Sequence, residues 1–85
     1  MALTLKHMNQ TQFATRLREA YRNGERARLV LISRFILARI AAADITDAQC
    51  RTAFGGLTVA QWNALKAKMQ AYIDADNAVR AAVGE

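Results

Sequence analysis

Apolar residues recur along this chain at three- and four-residue spacing, and no run alternates apolar and polar residues cleanly enough for a strand. Three places carry the same helix-start pattern. Asn9, Thr46 and Thr58 are each followed three positions later by a glutamine, Gln12, Gln49 and Gln61. That spacing is a capping box, in which two backbone donors left over at a helix start find side-chain acceptors. Each box is bracketed by an apolar pair, Met8/Phe13, Ile45/Cys50 and Leu57/Trp62, which fixes how the chain enters the helix. Stop signals complete the outline. Asn23-Gly24 reads as a turn, and Gly55-Gly56 closes the short third segment. The pattern predicts an all-α domain spanning 1–85, a small bundle of three to four helices with a long C-terminal one. The helices fall at about 9–22, 25–43, 46–54 and 58–83. The competing reading of the first half is one kinked helix from Asn9 to Ala43, with Gly24 costing ~1 kcal/mol.

The faces of these helices differ. The first places Phe13, Leu17, Ala20 and Tyr21 together. The second is apolar nearly all round: Leu29, Ile32, Ile36 and Ile40 form one stripe, and Leu31, Phe35, Ala38 and Ala42 another. A helix of that kind is expected to be buried on every side, by its own chain or by a second copy. The fourth segment, roughly 37 Å long as a helix, spaces Trp62, Leu65, Met69, Tyr72, Asp76, Val79 and Val83 in alternating steps of three and four. This is a coiled-coil seam with one charged member, or an amphipathic face on the chain's own core. A flank of alanines at 60, 64, 67, 71, 75, 78 and 82 suits either close helix approach or a wet surface. Asp76 in the seam is expected to pair with Arg34 or Arg39, the charged residues of the apolar second helix.

Composition sharpens this. Eighteen alanines and no proline push every long segment toward helix. The chain is 85 residues long, enough for one domain that buries only roughly 60% of its unfolded surface. The net charge of +5 is unevenly placed: residues 1–43 carry eight Lys or Arg against two Glu, and residues 44–85 four against five acids. Arg16, Arg18, Arg22, Arg26 and Arg28 form the densest basic stretch, a candidate face for phosphates or for an acidic protein surface. Residues 1–8 are too short in apolar content for a signal peptide. Leu29 to Ala43 is 15 residues long and contains Arg34 and Arg39, whereas a membrane span needs about 20 largely uncharged residues. The expectation is a soluble, cytoplasmic protein with no membrane partner.

Catalytic groups are sparse. His7 stands alone near the N-terminus. Cys50, the one cysteine, sits at a core-facing position. Asp74 and Asp76 lie two apart on a helix and point away from each other. One Cys and one His cannot make a zinc site, and no phosphate-binding loop is present. We therefore expect no enzyme, no cofactor and no metal. Two binding readings stand. In the first, an apolar helix and a long seam make an assembly module that forms a homo-oligomer or meets another protein through Trp62, Leu65, Met69, Tyr72, Asp76 and Val79, anchored by Phe35 and Ile36. In the second, the chain binds nucleic acid. It would use the arginine face 16–28, or a helix-turn-helix over 46–68 with Gln61, Asn63 and Lys66 on the reading helix. Against that motif, the turn carries two glycines, and most of the positive charge lies elsewhere.

The run Arg39-Ile40-Ala41-Ala42-Ala43-Asp44-Ile45-Thr46-Asp47-Ala48-Gln49, with Ala53-Phe54-Gly55, Leu57-Thr58-Val59-Ala60-Gln61-Trp62 and Leu65-Lys66-Ala67-Lys68-Met69, resembles short helical proteins encoded among the structural genes of tailed phages and prophages. The resemblance covers about the second half of the chain. It implies an assembly or virion-associated role in a bacterial or phage-infected cell. It rests on caps and core residues, and so assigns no functional residue.

Overall fold

The structure, a computed structural model, describes residues 10–84. It is all-α, with four helices and no strand among the described residues: α1 (Gln10–Arg22), α2 (Arg26–Ala41), α3 (Asp47–Ala53) and the long α4 (Val59–Ala82). The capping box at Asn9 and the lone His7 lie outside the described residues.

The chain breaks at Asn23-Gly24, so α1 and α2 are separate helices. Gly24 takes a left-handed φ of 68°. The Glu25 amide then donates to the Ala20 carbonyl at 2.9 Å, and the Gly24 amide to Tyr21 at 3.3 Å. This pair of bonds is the Schellman closure, which uses carbonyls the helix end would otherwise leave open. The same closure ends α2, where Asp44 donates to Arg39 and Ala43 to Ile40, both at 3.0 Å. Here the left-handed residue is an alanine, Ala43, at φ 61°.

One cluster forms the core. Phe13, Ala14, Leu17 and Ala20 of α1 meet Leu29, Ile32 and Ile36 of α2, Ile45 and Cys50 at α3, and Trp62 and Met69 of α4. Tyr21 was expected on the α1 core face but is 71% exposed. It lies on the last turn before Gly24, beyond the arc that α2 covers. The chain by itself does not bury α2 on every side. Its first stripe is buried, with Ile40 half-buried, whereas in the second Leu31 is 55% exposed and Ala38 and Ala42 are exposed. Phe35 is half-buried there, edge-on to Phe13 with ring centroids 5.3 Å apart. Eighty-five residues supply enough partners for one and a half faces of α2, and no more.

Both remaining capping boxes form. At α3 the Gln49 amide donates to the Thr46 hydroxyl at 3.1 Å, and the Thr46 amide to the Gln49 side chain at 2.9 Å. At α4 the corresponding Thr58–Gln61 bonds have the same lengths. α4 then packs Trp62, Met69 and Ile73 inward, with Leu65 and Tyr72 half-buried. Beyond Ile73 no described residue of α4 is buried. The alanine flank is exposed throughout within this chain.

Candidate functional site

The break between α1 and α2 leaves an open groove against α4, about 610 Å³ in volume. Its floor is apolar: Leu17, Leu29, Phe54, Leu57 and Leu65. Tyr21 and Tyr72 stand in its walls, and Arg18, Arg26 and Lys68 supply its charge; among the described residues no acid lines it. Each cation is held differently. Arg18 reaches from α1 to donate to the Phe54 carbonyl at 2.7 Å, and its guanidinium lies 5.6 Å from the Phe54 ring centre. Arg18 thus ties α1 to the end of α3. Arg26 stacks over Tyr72 at 5.3 Å. Lys68 is exposed on α4.

The structure divides the arginine stretch rather than presenting it as one phosphate face. Arg16 pairs with Glu19 at 3.0 Å and Arg28 with Glu25 at 3.1 Å, each within its own turn of chain. Arg18 and Arg26 line the groove, and Arg22 is exposed at the end of α1. The helix-turn-helix reading meets a similar outcome. Gln61 gives its side chain to the α4 cap, and Lys66 lies 3.4 Å from Asp47. Only Asn63 of that trio is exposed without such a commitment.

Asp76 pairs with Arg34, as the seam suggested. The two are 3.1 Å apart, Arg80 lies 2.8 Å from the same carboxylate oxygen, and Arg34 also donates to Asn77 at 2.7 Å. The pair is half-exposed rather than buried. The Arg80 hydrogen bond, then that of Arg34, holds the Asp76 carboxyl below the usual aspartate value. Arg39 instead lies over the Phe13 and Phe35 rings at 5.3 and 5.6 Å.

The seam itself divides in two. Trp62 and Met69 belong to the chain's own core, with Leu65 and Tyr72 at its edge, whereas Val79 is 62% and Val83 66% exposed. Ile73, absent from the seam register, is buried instead. At the α3–α4 junction the Trp62 indole donates to Asp47 at 2.9 Å. That bond, aided by Lys66, lowers the Asp47 carboxyl below its ordinary value. Cys50 is buried, and burial pushes its thiol up, which disfavours the reactive thiolate.

Two features of the groove escape a reading of the sequence: the role of Lys68 and the meeting of Arg26 with Tyr72. Lys68 and Tyr72 are four apart on α4, a shared-face signal, but their partners come from α1 and α2. Among the described residues no group of acids, His or Cys is placed to hold a metal, and no helix is long and apolar enough to cross a membrane. Comparison with protein families, curated proteins and solved structures returns no match for this chain.

Proposed function

We propose that the chain is a non-catalytic assembly module that self-associates through the free end of α4. One observation carries this reading. After Ile73 the helix runs on for nine residues to Ala82, roughly 13 Å, with no buried residue, yet it keeps the apolar register of the seam through Val79 and Val83. Past the Arg34 contacts at Asp76 and Asn77, exposed valines a turn apart make a surface that suits a second helix. The resemblance of residues 39–69 to short phage and prophage proteins supports placing this assembly in or around a virion. Absolute mass by light scattering after size exclusion, over a range of concentrations, tests the reading. The expected result is a dimer or larger species. Replacing both valines, Val79→Lys with Val83→Lys, should return it to monomer with the helical circular dichroism unchanged. A wild-type mass of 9.4 kDa at every concentration would overturn the proposal.

A further inference from the structure

We infer that the groove between α1, α2 and α4 binds a single-chain amphiphilic anion: an aliphatic chain ending in a carboxylate. The site is separate from the proposed self-association, which uses Val79 and Val83 outside the groove lining. Its size and composition are those of a small-molecule site. At about 610 Å³ it falls within the roughly 300–1,000 Å³ of ligand clefts, which are mostly apolar with a few polar groups that fix orientation. The floor selects the tail. Leu17, Leu29, Leu57 and Leu65 with Phe54 offer a hydrocarbon surface. Besides the two tyrosine hydroxyls, no uncharged hydrogen-bonding side chain lines the groove among the described residues. A nucleotide base or a peptide backbone would leave polar groups unpaired there, whereas an aliphatic chain brings none.

The sign of the charge selects the head. Among the described residues, every charged side chain of the lining is a cation. Aromatic rings hold two of these charges at the edge of the apolar floor. The Arg18 guanidinium lies 5.6 Å from the Phe54 ring centre and donates to the Phe54 carbonyl at 2.7 Å. That of Arg26 lies 5.3 Å from the Tyr72 ring centre. Lys68 stands one turn before Tyr72 on α4 and is exposed. A guanidinium has several N–H donors, so one bond to a carbonyl leaves others for a carboxylate. An anionic head therefore meets cations where the floor gives way to water, and a cationic head on the same tail meets repulsion from all three.

Calorimetric titration of the full chain with octanoate, decanoate and dodecanoate, each below its micelle-forming concentration, tests this. Saturable binding of one anion per chain is expected. It should tighten by about fivefold for each two carbons added, because an open groove shields only part of each methylene. Decyltrimethylammonium, the same tail with the opposite charge, should bind about tenfold more weakly than decanoate. Lys68→Glu changes an exposed side chain and should weaken decanoate by about tenfold. Ala71→Phe, at another exposed position of α4 that lines the groove, should fill it and abolish binding. Circular dichroism confirms that both variants keep their helices. Amide NMR shifts on adding decanoate should centre on Leu17, Leu29, Leu65 and Tyr72. Decanoate that does not bind, or binds no better than the ammonium, would overturn the inference. So would shifts centred elsewhere, or an Ala71→Phe variant that binds as the wild type does. Binding of phosphatidylglycerol vesicles or of oligothymidylate by a chain inert to decanoate would overturn it in favour of a membrane surface or a nucleic acid.

Discussion

Ala43 occupies the left-handed region, where a Cβ crowds the following carbonyl and costs roughly 1–2 kcal/mol. At the matching position after α1 the chain has Gly24, which avoids that cost. Ala43→Gly should therefore stabilise the fold by about 0.5–1 kcal/mol, after the extra freedom glycine has in the unfolded chain is subtracted. Thermal unfolding should show a rise of several degrees. Ala42→Gly, one residue earlier at φ −81°, should give no such rise. Trp62 offers a second test. Trp62→Phe keeps an aromatic ring in the core but removes the N–H that Asp47 accepts. The Asp47 carboxyl should then titrate closer to its ordinary value, read directly by NMR. An unchanged Asp47 titration would mean that Lys66, not the indole, sets it.

The elements were largely legible in the sequence, because their ends are written in local chemistry. Thr46/Gln49 and Thr58/Gln61 cap as spaced, and the glycines at 24 and 55 stop helices through their own backbone freedom. What local chemistry could not show is which apolar face finds a partner. Tyr21 and Leu31 fit helical stripes as well as Leu17 and Ile32 do, yet they are exposed because no other element reaches them. Ile73 was missed for the converse reason: its burial comes from long-range packing off the seam register. The groove depends on contacts from four elements and was not legible at all. At the scale of an element, α3 gives a further test. Cys50 is its one buried residue, and its thiol is pushed up. A thiol reagent should modify the native chain far more slowly than the denatured one, at a rate set by opening of α3. Thr46→Ala, which removes the α3 cap, should speed that modification by about fivefold, the equivalent of ~1 kcal/mol.

For the whole molecule, two depressed carboxyls set the response to acid. Asp47 and Asp76 both titrate below their unfolded-state values. Between those values the folded chain binds fewer protons than the unfolded one, so stability rises with pH there. The contribution is complete above about pH 4–5 and is lost as pH falls through the lower, folded-state values. Asp47 is exposed and Asp76 half-buried, both within reach of solvent screening, so a shallow loss of thermal stability below pH 4 is expected rather than a sharp acid transition. Asp76→Asn should flatten that slope, because it removes one of the two titrations.

Trp62 is the single tryptophan, buried at the α3–α4 junction with a carboxylate on its indole nitrogen. The molecule therefore carries one built-in fluorophore, placed in the core rather than at the exposed end of α4. Its emission should be that of a water-shielded indole, shifting to the red only when the core opens. Assembly through Val79 and Val83 should leave that colour untouched while slowing the tumbling reported by its polarisation. One optical signal thus separates the two events: wavelength follows unfolding, and anisotropy follows association.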